Sequence, residues 1–243
     1  ENFVEFSVID KQFEGDNIFP PGIINAETIP AAPTESAGKR YPVVIGTAYK
    51  VPAYEISAGT MTRFLVLDDA SGEFTASSVA LAAYDGDKVV AIDSQSSTTD
   101  GLGRKYNYIN FEAAIVESKE ITVDILGHMP ADLMSVIKFL FSSYSSYYDY
   151  YDGYSLSRIS NELAPITLSM VFNDDTGNGV IHVIRERLLQ QFPLLMYQDE
   201  GKLKFQHLLW TRDVAKILSF DKNIYSMTSD VSATPRANVF NSY

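Results

Sequence analysis

Three histidines supply the imidazoles of this chain, His128, His182 and His207, and it contains no cysteine. A helical zinc motif places two His at i and i+4, and none of the three has such a partner. They read as structural histidines in a turn, a helix and a strand. Asp174-x-Thr176-x-Asn178-Gly179 imitates the opening of a calcium loop. Its twelfth position is Arg185, where a bidentate Glu belongs, so the loop fails at its strongest ligand. Adjacent carboxylates occur at Asp68-Asp69, Asp174-Asp175 and Asp199-Glu200, all in predicted turns, where acidic side chains bond the local backbone. A glycosidic pair has to converge from separate segments, so adjacency alone carries no catalysis. There is no Gly-x-Ser-x-Gly elbow, phosphate loop or dinucleotide fingerprint. The expectation is no catalytic residue, no metal ligand set, no cofactor and no enzyme.

Tyrosine offers a different chemistry. The tract Tyr144-Ser145-Ser146-Tyr147-Tyr148-Asp149-Tyr150-Tyr151-Asp152-Gly153-Tyr154 joins aromatic faces to small hydroxyl residues. That mixture makes adaptable contact surfaces and can stack on sugars or on another protein. The alternative is a loop insertion that packs on its own domain or is partly disordered. Tyr144, Tyr147, Tyr148, Tyr150, Tyr151 and Tyr154 are candidate interface residues, together with Lys39, Arg40 and Tyr41. The latter three sit in the most informative stretch, Gly38-Lys39-Arg40-Tyr41-Pro42-Val43-Val44-Ile45-Gly46, which runs on to Pro52. It reads as a turn, a short apolar strand, a Gly break and another extended run, with prolines limiting the spread of backbone pairing.

The elements that must position these residues divide near residue 126. Before it the pattern is β-rich. Phe3 to Asp10 alternates as a strand, and Arg63 to Asp68 and Val79 to Tyr84 read as further strands. Asp85-Gly86-Asp87 predicts a hairpin turn into Lys88 to Ile92. Ser94 to Gly103 reads as a polar loop, and Tyr106 to Phe111 and Ile121 to Ile125 as strands. After it, Pro130 to Phe141 predicts a helix with Pro130 in the first turn. A short helix over Leu156 to Leu163, a loop from Asn173 to Gly179 and a helix from Val180 to Phe192 follow. Leu194 to Gln198 and Lys202 to Leu208 predict a β-hairpin. The fold class expected is α+β: a β-rich, barrel-like N-terminal region over 1–126, then an α+β region over 127–243 with helices, the Tyr/Ser loop and a hairpin.

Composition bounds the possibilities. At 243 residues, 46% hydrophobic and 21% charged, the chain can bury a core of its own. No apolar run reaches the ~18 residues of a membrane span. A formal charge of −12 opposes a nucleic-acid clamp, which needs cations against phosphate. The opening Glu1-Asn2-Phe3-Val4-Glu5-Phe6 lacks an initiator Met and a signal core, which predicts a mature end or a piece of a longer chain.

Taken in order, four patches resemble the hub protein of bacteriophage tails, at the baseplate or tail tip. They are Val8-Ile9-Asp10-Lys11 at the end of the opening strand, the Gly38 to Gly46 stretch behind its Pro/Ala lead-in, and Met129-Pro130-Ala131-Asp132-Leu133 opening a helix. The fourth is Pro193-Leu194-Leu195-Met196-Tyr197, then Gly201-Lys202-Leu203 and a late Asn238-Val239-Phe240-Asn241-Ser242-Tyr243 strand. The Tyr/Ser tract has no counterpart in that pattern. The resemblance implies a homo-oligomeric ring, a trimer, that adapts the tail tube to the tip, with a fold that continues past Tyr243. It implies distal tail, tip and tape-measure proteins as partners, DNA only in transit, and a place in the virion after assembly in the host cytoplasm. A receptor- or carbohydrate-binding tail module and a peptidoglycan hydrolase-associated tail protein are the alternative functions.

Overall fold

Strands with one apolar face assemble into a single curled sheet in the first half of the chain. The computed structural model describes residues 2–5, 16–57, 59–70, 72, 79–115, 120–130, 132–162, 168–174, 177–192, 194–207 and 232–235. Strand β1 (Asn2–Glu5) pairs with the last strand, β13 (Ser232–Pro235). Residues 6–10 and 238–243, the rest of the two terminal strand expectations, lie outside the described residues. Next come β2 (Val43–Ile45), β3 (Thr47–Glu55), β4 (Arg63–Asp68), β5 (Ala80–Asp85), β6 (Lys88–Val90), β7 (Ser94–Thr99), β8 (Lys105–Asn110) and β9 (Ile121–Leu126).

Seven of these form one antiparallel sheet in the order β6-β5-β9-β3-β4-β8-β7. Strand β3 serves two neighbours, β9 along its first part and β4 through Tyr54 and Glu55. The two outer strands, β6 and β7, are consecutive in the chain, and residues 91–93 alone join them. So short a link keeps those ends within about 14 Å, which forces the sheet to curl into a half-barrel. A side chain draws the seam together: Gln95 Nε2 donates to the Ala80 carbonyl at 2.7 Å, and its Oε1 accepts from the Ala80 amide at 2.8 Å. Inside, Ile121, Val123 and Ile125 of β9 pack with Phe64, Leu67, Ile109 and Phe111.

Strand β2 explains the apolar run that stands out in the sequence. Val44 faces the sheet interior, while Val43 and Ile45 face the helices, so all three are buried. A strand covered on both faces loses its polar alternation. β2 pairs with β10 (Met170–Phe172), and Gly46 then turns the chain at φ +71°, where a Cβ would meet the Leu168 carbonyl.

The second half is helical around one cluster. Helix α1 (Leu133–Tyr144) starts later than expected, because Asp132 and not Pro130 sets its first turn: Asp132 Oδ1 accepts from the Ser135 amide at 2.9 Å. Leu133, Val136, Ile137 and Leu140 are buried at helical spacing, as anticipated. Helix α2 (Gly153–Glu162) begins inside the Tyr/Ser tract. The stretch expected as one helix from Val180 is α3 (Val180–Val183), then a π-helical turn (Ile184–Leu188) and a 3₁₀ turn (Leu189–Gln191). The hairpin β11 (Leu194–Asp199) and β12 (Lys202–His207) follows as expected. The expected loop from Ser94 is in part a strand: Ser94 to Thr99 form β7. Its six polar residues lie at the sheet edge, where no buried face imposes an apolar pattern. The architecture is α+β and β-rich, and among the described residues no helix is long and apolar enough to cross a membrane.

Candidate functional site

Two buried carboxylates meet two cations where β4 ends and β8 begins. Asp68 and Asp69 close β4, and Arg104 and Lys105 open β8. The Asp69 amide donates to the Lys105 carbonyl at 3.0 Å, which brings the four side chains together. Arg104 Nη1 lies 3.0 Å from Asp68 Oδ2, and Lys105 Nζ 3.1 Å from Asp69 Oδ2. Both carboxylates are 0% exposed. Such burial is tolerated only because each has a cation and the backbone adds bonds, here the Ala70 amide on Asp68 Oδ1 at 2.9 Å.

The next turn holds Arg104 in place. Asp100 Oδ1 accepts from the amides of Leu102 and Arg104, at 2.9 and 2.8 Å, and its Oδ2 accepts from the Tyr41 hydroxyl at 3.0 Å. A cleft of about 580 Å³ opens over this node, lined by Asp69, Asp100, Arg104, Lys105, Thr28 and Ser143 among others. From behind, His128 and Tyr144 close the group. The His128 ring lies against Phe139 of α1, centroids 4.1 Å apart. The Tyr144 hydroxyl is buried with no hydrogen-bond partner among the described residues, in the electrostatic reach of Asp68, Arg104 and Asp69.

Burial pushes the Asp68 carboxyl up to about 6, against the pull of Arg104 and the Ala70 amide. It pushes the His128 imidazole down to about 4, against Asp69 and a bond to the Asp68 backbone. The Tyr144 phenol is raised well above its ordinary value by the same desolvation. Burial thus draws the node's carboxyl toward neutrality and holds its imidazole uncharged there. Among the described residues no three His, Cys, Asp or Glu side chains converge as a metal would require.

The proposed interface residues are not one surface. Lys39 is exposed, but Arg40 is largely buried and Tyr41 is fully buried in a cluster with Ile24, Leu65 and Tyr106. Tyr144 belongs to the helical core, packed edge-on against Phe19. Arg40, Tyr41 and Tyr144 are thus corrected to interior positions, since the chain's own core takes up their surfaces. Tyr147 and Tyr151 are half-buried, Tyr151 against Phe141. Tyr148, Tyr150 and Tyr154 are exposed, at 54%, 43% and 77%. The tract is not a free loop: the Leu203 amide donates to the Tyr150 carbonyl and the Asp152 amide to the Leu203 carbonyl, at 2.7 and 2.8 Å. Residues 150–152 thereby line β12 on the side away from β11, whose Leu195 and Tyr197 are also partly exposed.

Sequence reasoning missed the node. It read Arg63 to Asp68 as a strand, as β4 is, but treated the Asp68-Asp69 pair as turn acids bonding the local backbone, whereas both carboxylates are interior and ion-paired. The usable signal was the matched order of two acids after one apolar run and two bases before another. Searches against protein-family models, characterised proteins and solved structures find no match to this chain.

Proposed function

We propose that this chain is a ring-forming structural protein of a bacteriophage tail tip, a hub that adapts the tail tube to the tip complex and lines the DNA exit path. The observation that carries the reading is the succession of elements: a curled antiparallel sheet, a helix opened by Asp132, a helical stretch from Val180 and the β11–β12 hairpin. Of the motifs that resemble the family, Gly38 to Gly46 holds β2, Met129 to Leu133 leads into this first helix, and Leu194 to Tyr197 with Gly201-Lys202-Leu203 lies in this hairpin, while Val8 to Lys11 and Asn238 to Tyr243 lie outside the described residues. In this reading the chain closes on copies of itself as a trimer and contacts tail tube, distal tail, tip and tape-measure proteins in the virion. DNA passes without being bound, which agrees with the charge of −12. Electron microscopy of the purified chain tests it: closed threefold rings are expected, and single particles at every concentration would refute ring formation.

A second reading rests on the exposed Tyr148, Tyr150 and Tyr154. Aromatic faces presented this way serve a receptor or carbohydrate contact. In that case changing Tyr150 and Tyr154 to Ala abolishes binding on a glycan array or adsorption to cells, while the rings persist. A surface that binds no glycan and no cell in the unaltered chain removes the second reading.

A further inference from the structure

The node under the cleft sits at a junction: Asp68 and Asp69 belong to the sheet, Tyr144 to the end of α1, and His128 to the link between them. We propose that it is a proton-controlled gate, in which ionised Asp68 draws water in through the cleft and parts the end of α1 from the sheet, and a proton on Asp68 shuts it.

Three observations carry this. First, Arg104 and the Ala70 amide only partly offset the burial of the Asp68 carboxylate, and what remains is relieved either by a proton or by water, so the two compete for Asp68. Second, the cleft brings solvent to the node, because Asp69, Arg104 and Lys105 line it, and the side chains of the two cations remain 27% and 34% exposed. Third, the buried Tyr144 hydroxyl has no hydrogen-bond partner among the described residues in the closed arrangement and gains one when water enters, which favours opening on the α1 side.

The groups facing Asp68 are Asp69 and the Ala70 amide from its own strand, Arg104 from β8, Tyr144 from α1 and the imidazole of His128 beyond the Asp68 backbone. Lys105 holds Asp69, and Asp100 holds the Arg104 amide from the intervening turn. The raised carboxyl, at about 6, puts the transition between mildly acid and neutral conditions. His128 does not share it, since burial keeps its ring neutral down to about 4.

Hydrogen exchange on the full chain tests the gate at the amides of Tyr144 and Ser145, at pH 5 and 7.5, after correction for intrinsic rates. Exchange is expected to be faster at pH 7.5 by roughly tenfold, following the ionised fraction of Asp68. Asp68→Asn is expected to exchange slowly at both pH values. Tyr144→Phe is expected to keep the pH dependence and slow both rates, since its ring leaves no hydroxyl to hydrate. Equal corrected rates in the unaltered chain, or an acceleration that survives Asp68→Asn, would overturn the gate. Should Asp68→Asn not fold, the carboxyl ¹³C titration of Asp68 decides. A midpoint matching the exchange transition supports the gate, and one more than about one pH unit lower overturns it.

Discussion

Burial moves Asp68 and His128 in opposite directions, and each movement has a consequence for stability. Asp68 binds its proton more tightly in the folded chain, so its contribution is fully present below pH ~4 and is lost as pH rises through about 6. His128 binds its proton less tightly, so its contribution is present above pH ~6.5 and is lost as pH falls through about 4. Over pH 7 to 4 the two nearly cancel, and single variants expose them. Relative to the unaltered chain, Asp68→Asn is expected to lose roughly 3 kcal/mol of unfolding free energy on acidification from pH 7 to 4, and His128→Gln to gain a similar amount. Urea unfolding at several pH values measures both, and parallel curves for all three proteins would contradict the assignment. Backbone strain sits elsewhere. Glu200 holds φ +52° beside Gly201 at +75° in the hairpin turn, a conformation Asn adopts at lower cost than Glu. Glu200→Asn is expected to raise stability by about 0.5–1 kcal/mol, because the exposed ion pair it removes, to Lys204, contributes little. A lower melting temperature for that variant would contradict this.

At the scale of elements, two contacts decide whether neighbouring pieces hold. Gln95 bridges β7 to β5 through both ends of its amide, and Gln95→Ala leaves the Ala80 amide and carbonyl without those bonds. The expected cost is about 1–3 kcal/mol, read from chemical denaturation, and an unchanged midpoint would show that water substitutes fully. Asp132→Ala removes the cap of α1 and is expected to cost about 1 kcal/mol by the same measurement. What was legible in the sequence follows from local rules. β4, β8 and β9 carry apolar residues at strand spacing, and α1 shows its buried stripe. Asp85-Gly86-Asp87 makes its turn because Gly86 takes φ +61°. What was not legible depends on neighbours distant in the chain. β7 is all polar and owes its existence to pairing with β8. The Asp68–Arg104 pair spans 36 residues, and only the register of β4 against β8 brings its partners together. Tyr41 looked like a surface aromatic beside Lys39 and Arg40, yet the loop around Asp100 folds over it. Of the tyrosine tract, composition revealed contact chemistry but not which rings turn inward.

For the whole molecule, the proposed role makes demands on charge and assembly together. A ring whose lumen passes DNA without holding it has to present like charge there, and a net −12 per chain supplies a surplus of acid. Repulsion between copies opposes closure, so assembly is expected to strengthen as salt screens it. The most direct test of the ring is the native mass of the purified chain across a concentration and salt series. The hub reading predicts a discrete species of three chains that grows in proportion as salt rises. A mass of one chain under every condition, or an open series of ever larger assemblies, would contradict it.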